Sequence, residues 1–284
     1  MADTYGSVRI DIQKTCEAQM TGTGIGLALG SGAVRGYAII PVIKRLTKEG
    51  IDIKAISGSS VGALIGTYYA LHGEVDSLFD HIKNIPRKDY LKLADPNNPK
   101  ISVFKGKRIR NFISENYFGD KTFKHVNIPL YICVTDPVEK KPVYLTKGKL
   151  IDAVMASISI PGLFPPYKIG NKHYIDGGVL DPVPTRPLLD KGIKKAVGIN
   201  LMGFKSNKKK NGDERLIPAL MNTFYMMMEQ LAQKDEDHRL FMLNPRFEPD
   251  PAHMLAFHDW EENYAIGRKL INTKIKSLKQ WLQS

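Results

Sequence analysis

Two glycine- and serine-rich stretches and one Asp-Gly-Gly are the parts of this sequence best suited to bond-making chemistry. Gly58-Ser59-Ser60-Val61-Gly62 is a G-x-S-x-G. Its flanks, Lys54 to Ser57 and Val61 to His72, read as a buried strand and an apolar-periodic helix. In that setting the pattern predicts a nucleophile elbow, a sharp turn that lifts the Ser60 hydroxyl above a sheet and beside the positive end of a helix. The stretch Leu29-Gly30-Ser31-Gly32-Ala33-Val34-Arg35-Gly36 also follows a strand and opens a helix. Its backbone N–H groups form an anion pocket, suited either to a pyrophosphate or to the oxyanion of a tetrahedral intermediate. A dinucleotide site needs G-x-G-x-x-G and an acid at the end of the second strand. Here the third glycine comes one position late, at Gly36, and the second strand ends in Ser57-Gly58, which favours the oxyanion. Asp176-Gly177-Gly178 closes a strand beginning at Lys172. An aspartate released there by two glycines can reach across a site at the sheet edge.

The third catalytic partner is left open by the residues alone. Ser60, Asp176 and either His253 or His258 satisfy the chain order Ser, acid, His of an α/β-hydrolase triad. Those histidines, however, flank Met254-Leu255-Ala256-Phe257, which carries no local mark of catalysis. No C-x-x-C or H-E-x-x-H spacing occurs, so no metal site is expected.

The elements that must position these groups follow from the periodicity. Strand, glycine turn, helix, strand, glycine turn, helix from Gly26 to His72 predicts a parallel sheet with crossover helices. The first helix is expected over Val34 to Glu49. Glu74 to Phe118 reads as helices with loops at Pro86 and at Asp95 to Lys100. Further strands are expected over Pro129 to Asp136, Val143 to Thr146, Lys172 to Asp176, Ala196 to Leu201 and Arg239 to Leu243. Further helices are expected over Leu150 to Ser159, Pro184 to Lys191, Glu214 to Asp235 and Asp259 to Trp281. Lys205 to Gly212, with four lysines and no apolar residue, reads as a solvated connection. No linker divides the chain, so a polar, loosely attached segment 1–24 is expected to precede one domain over 25–284.

A chain of 284 residues with 43% hydrophobic and 25% charged residues has the make-up of a globular α/β protein, not a disordered or fibrous one. Two cysteines, Cys16 and Cys133, point to a reducing compartment. No apolar run reaches the ~18 residues of a membrane helix, and Met1 to Gln19 lacks the apolar core of a signal peptide; a cytoplasmic location is expected. The formal charge of +12 favours anionic partners.

Together these residues resemble the patatin-like phospholipase family, in particular its smaller bacterial members. Its three blocks fall in order: Gly30 to Gly36, Gly58 to Gly62, and Asp176 to Gly178. Ala156-Ser157-Ile158-Ser159-Ile160-Pro161-Gly162-Leu163-Phe164-Pro165-Pro166 is similar to the stretch that precedes the family's Asp block. The resemblance implies a three-layer α/β/α sandwich with a mostly parallel central sheet. It also implies a Ser-Asp dyad without histidine, in which Ser60 is the nucleophile and Asp176 the base. Backbone N–H groups around Gly30, Gly32 and Ala33 would form the oxyanion hole, with Arg35 stabilising that loop or its charge. Ser31 and Ala33 stand where many members have glycine, and a positive φ at Ala33 would be strained. The implied substrate is a lipid ester, with no cofactor, no metal and no nucleic acid. An anionic membrane surface is the expected peripheral partner, met through clustered lysines such as Lys205 to Lys210. Met226-Met227-Met228 with Phe224, Tyr225 and Leu231 reads as a buried helix, or alternatively as an acyl pocket. The last helix reads as packed on the core, or alternatively as lying on a membrane. The rival functional readings are a soluble Ser-His-Asp esterase or thioesterase and a non-catalytic nucleotide or phospholipid binder.

Overall fold

Side chains alternate across a strand, so a strand apolar on both faces must be covered on both faces. The computed structural model describes residues 24–203, 216–232, 237–248 and 258–284. In chain order its elements are β1 (Ile25–Leu29), a 3₁₀ turn (Ala33–Ala38), α1 (Ile39–Lys48), β2 (Ile53–Ser59), α2 (Val61–His72), α3 (Asp76–Lys83), α4 (Arg87–Leu93), α5 (Lys107–Ile113), β3 (Leu130–Asp136), β4 (Lys141–Leu145), α6 (Leu150–Ser157), β5 (Tyr167–Ile169), β6 (Lys172–Asp176), α7 (Arg186–Asp190), β7 (Ala196–Ile199), α8 (Leu216–Ala232), β8 (Leu240–Leu243) and α9 (Trp260–Gln283). The strand order is β5-β6-β3-β2-β1-β7-β8, with β4 also paired to β3. β3, β2, β1, β7 and β8 run parallel, and β4, β5 and β6 add an antiparallel edge.

Leu27 and Leu29 of β1, Ile56 of β2 and Ile132 and Val134 of β3 point into one core, shared with α1, α2, α6 and α9. Ala28, Ala55, Tyr131 and Ala196 point to the opposite face, under Val183, Leu188 and Ile193. Three of those four strand residues are alanines, which lets the short α7 sit close to the sheet. The result is a three-layer α/β/α sandwich with a mostly parallel sheet. The apolar stripe of α9 is used inside it: Ile271, Ile275 and Leu278 are buried, and a Cβ on Gly267 would collide with the backbone of Ala38. This is the core-packing reading of the last helix. Among the described residues no helix is long and apolar enough to cross a membrane.

Two expectations differ from the structure. The first helix does not start as an α-helix at Val34, because Ala33 takes a positive φ of 48° and Arg35 N–H bonds back to Gly32 O at 3.0 Å, a tight 3₁₀ turn. β5 was not expected; it is a three-residue strand folded onto β6 about Gly170-Asn171, a turn signal that marks a hairpin. The N-terminal segment 1–23, the lysine stretch 205–212 and His253 lie outside the described residues.

Candidate active site

β2 ends at Ser59 and α2 starts at Val61, which leaves Ser60 alone to reverse the chain. It does so with φ 55° and ψ −124°, a conformation that costs a non-glycine residue roughly 1–3 kcal/mol and persists only where the surroundings enforce it. The enforcement is close packing. A Cβ on Gly62 would overlap the carbonyl of Leu29 at the end of β1, and one on Gly58 would lie 2.5 Å from Gly62 O. The two outer residues of G-x-S-x-G are therefore glycine because α2 is pressed against two strand ends. Ser60 is 5% exposed, and its own N–H donates to Ser157 Oγ at 2.9 Å. Ser157 in turn donates to Cys133 O at 2.6 Å, so α6 and β3 brace the elbow.

Asp176 ends β6 and is 1% exposed. Its Oδ2 accepts from Ser60 Oγ at 2.7 Å and its Oδ1 from Gly178 N–H at 2.7 Å. A Cβ on Gly177 would overlap the carbonyl of Cys133, so the turn after Asp176 must also be glycine. Burial pushes the Asp176 carboxyl up to about 7, against the opposing effect of the Ser60 and Gly178 hydrogen bonds. A carboxyl poised near neutrality and in contact with a hydroxyl at a helix N-terminus is equipped to take that hydroxyl's proton.

The Gly30 to Gly36 loop arches over the ends of β1 and β7. Gly30 N–H donates to Ile199 O at 3.0 Å and Ser31 N–H to Pro182 O at 2.8 Å. The Gly30 N–H is thus committed to the framework, and the anion-binding expectation narrows to Gly32 and Ala33. Arg35 is 3% exposed. Its Nη1 donates to Leu201 O at 3.1 Å, and its guanidinium lies 5.0 Å from the centre of the Phe247 ring and 5.6 Å from that of Tyr225. Burial lowers its pKa, with Tyr225 and Glu229 opposing. Arg35 braces the loop from behind. Ala33 has the positive φ that glycine would adopt without strain. Ala33→Gly is therefore expected to stabilise the fold by roughly 0.5–1 kcal/mol, seen as a rise of a few degrees in Tm by thermal denaturation.

Ser60 also lies on the wall of a cavity of about 440 Å³ whose lining is overwhelmingly apolar, with Val34, Ile40, Leu64, Ile113 and Phe164 among its walls. The methionine stretch does not form this pocket. Tyr225 and Met228 are buried, Tyr225 facing Arg35 and Met228 packed on Gly178, whereas Met226 and Met227 are 57% and 61% exposed. Helical spacing thus turns one side of α8 onto the site's framework and the other outward. His258 also lines the cavity, but its Nε2 faces Asp259 Oδ1 at 3.2 Å. Among the described residues no hydrogen bond links a histidine to Ser60 or Asp176. Sequence reasoning gave Ser157 no role and did not find the cavity. The local hint of Ser157 is a polar residue closing the buried run Ala153 to Ser157 at the end of α6.

Comparison with known proteins gives an independent view. A family model, patatin-like phospholipase, matches residues 27–189, a span that holds Gly30, Gly32, Ala33, Arg35, Ser60 and Asp176. An uncharacterized NTE family protein of Mycobacterium tuberculosis is 31% identical over 198 residues, 70% of this chain and 54% of that protein. The neuropathy target esterase sws of Drosophila melanogaster is 29% identical over 188 residues, 64% of this chain and 13% of that protein. The lysophospholipase nte1 of Aspergillus fumigatus is 31% identical over 166 residues, 57% of this chain and 11% of that protein. The chain thus spans about half the length of the mycobacterial relative and a much smaller share of the other two.

Proposed function

Because this chain belongs to the patatin-like phospholipase family, we propose that it is a serine acyl hydrolase that cleaves carboxylic esters of lipids through a Ser60–Asp176 dyad. The observation that carries this reading is the 2.7 Å contact from Ser60 Oγ to Asp176 Oδ2 on the wall of an apolar cavity. The family membership and the similarity to a neuropathy target esterase and a lysophospholipase support the same class.

In this mechanism Ser60 Oγ attacks the ester carbonyl carbon while its proton passes to Asp176 Oδ2. The carbonyl oxygen becomes an oxyanion, met by the N–H groups of Gly32 and Ala33 and by the positive end of α2. Collapse expels the alcohol, which takes the proton back from Asp176 and leaves an acyl ester on Ser60. A water then attacks the acyl carbonyl carbon and passes a proton to Asp176; collapse of this second tetrahedral intermediate breaks the bond to Ser60 Oγ, which takes the proton back from Asp176 as the carboxylic acid leaves. The acyl chain lies in the cavity, and Arg35 positions the loop without touching substrate.

A fluorophosphonate probe tests the nucleophile directly: stoichiometric labelling that maps to Ser60 supports the reading, and intact protein that remains unlabelled argues against it. The cavity assignment has its own test. Leu64→Trp places an indole in the chain's path, so turnover of a hexadecanoyl ester is expected to fall at least about tenfold relative to a butanoyl ester, the scale of a 1–3 kcal/mol pocket contact. An unchanged ratio of the two kcat/KM values would place the acyl chain elsewhere.

A further inference from the structure

Among the described residues, α4 is the one helix bordering the cavity that buries none of its own residues. Arg87, Tyr90, Leu91, Leu93 and Ala94 all line the cavity, yet Leu91 is 72% exposed, which puts this leucine at the lip, between the apolar interior and solvent. Arg87 and Leu91 share one helix face at i, i+4, and Lys88 and Lys92 form the neighbouring stripe.

The charge around this lip is concentrated. From Pro86 to Arg110 the chain carries eight lysines and arginines against two aspartates, a net +6 and half of the excess of the whole chain. The two aspartates leave most of the cluster uncompensated. Asp89 pairs with Lys92 at 2.6 Å, and the buried Asp95 accepts from Gly106 N–H at 2.9 Å and Arg108 N–H at 3.1 Å. Arg87, Lys88, Lys100, Lys105 and Lys107 are exposed, and no ion pair holds them among the described residues. The segment is also firmly braced. Arg108 Nη1 donates to Lys92 O at 3.1 Å and Ala94 O at 2.9 Å, and Phe104 N–H donates to Leu163 O at 2.9 Å. A second exposed apolar residue, Ile101 at 61%, lies on the same excursion.

We infer that α4 and the following segment to Lys107 form a docking face for an anionic lipid bilayer, with Leu91 set among the acyl chains at the mouth of the cavity. The inference rests on the proposed reading of that cavity as an acyl site. An amphipathic cover with cations around an apolar lip matches a surface of phosphates over hydrocarbon, and it joins that surface to Ser60. The other exposed large apolar residues fit such a surface less well. Val138, 84% exposed, stands on the turn between β3 and β4 and is not among the residues lining the cavity, and Leu220, Met226 and Met227 stand on α8, whose residues 216–232 carry one charge, Glu229. The apolar stripe of α9 is already buried in the core.

The test is sedimentation with vesicles of equal parts phosphatidylglycerol and phosphatidylcholine, in the Ser60→Ala background. No lipid is then consumed, and the readout stands whether or not the chain proves to be a hydrolase. Lys88→Gln, Lys100→Gln, Lys105→Gln and Lys107→Gln together are expected to weaken binding at least about 30-fold at low salt. A control with the same change in charge, Lys191→Gln, Lys269→Gln, Lys274→Gln and Lys276→Gln, is expected to lose less than about threefold. Pure phosphatidylcholine vesicles should bind both variants and the Ser60→Ala parent weakly. Unchanged melting temperatures exclude misfolding of either variant. Equal losses in the two variants, undiminished binding in the first, or equal binding to neutral vesicles would overturn the docking face.

Discussion

Ser60→Ala is expected to lower kcat/KM for a lipid ester by at least about 10³-fold, with the fold retained. The substitution keeps the Cβ and therefore the strained backbone at φ 55°, and it removes one hydroxyl whose bond goes to Asp176. Residues that act as a unit do not contribute additively. Ser60→Ala combined with Asp176→Asn should therefore be no less active than Ser60→Ala alone. His258→Ala is the informative contrast, since His258 lines the same cavity but faces Asp259; its loss should stay within about tenfold and fall on KM. Steady-state kinetics on one acyl ester, with circular dichroism to verify folding, decides among these. Substantial turnover by clean Ser60→Ala, or a His258→Ala enzyme as inactive as Asp176→Asn, would refute the dyad.

What could be read from the sequence divides along a physical line. The elbow and the Asp-Gly-Gly are local objects. Gly58, Gly62 and Gly177 each face backbone atoms that a Cβ would strike, and such constraints leave short, recognisable patterns. The strain at Ala33 was also foreseeable, because a loop that prefers glycine there imposes its φ on whatever residue it receives. Ser157 is different. It contacts Ser60 across 97 residues of chain, and nothing near it in sequence marks that partnership. The cavity is equally non-local, since its walls come from α1, α2, α4, α5 and the turn after α6, each supplying apolar residues that look like ordinary core. The methionine run shows the opposite error. Three consecutive apolar residues cannot share one face of a helix, and of the three only Met228 packs inward. Lys205 to Lys210 stood out by composition alone. The Pro86 to Arg110 excess was spread between apolar residues and became a surface only when the segment folded over the cavity.

Asp176 links activity, acidity and stability, so Asp176→Asn should alter all three. Its carboxyl is raised from 3.8 to about 7 by burial. A base must be unprotonated to act, so kcat/KM of the wild type is expected to fall about tenfold per pH unit below about pH 7. That limb lies where an unperturbed histidine would titrate, and the profile alone therefore cannot distinguish a dyad from a triad; the Asn variant can. Asp176→Asn should lose about 10³-fold or more in kcat/KM at pH 8 and show no limb of its own near pH 7. Stability should move the other way. Between pH 4 and 7 the folded state holds a proton on Asp176 that the unfolded state has released. Its contribution to stability is therefore full below 3.8 and is lost as pH rises toward 7. Above pH 7 the fold carries a buried carboxylate at a cost of order 4 kcal/mol. Asn removes that cost, so Asp176→Asn should melt several degrees above the wild type at pH 8, with the gap closing toward pH 4. Melting curves across that range check the sign. An Asn variant less stable than the wild type at pH 8, or a gap that does not change with pH, would mean that Asp176 is an ordinary low-pKa carboxylate and not the poised base of this site.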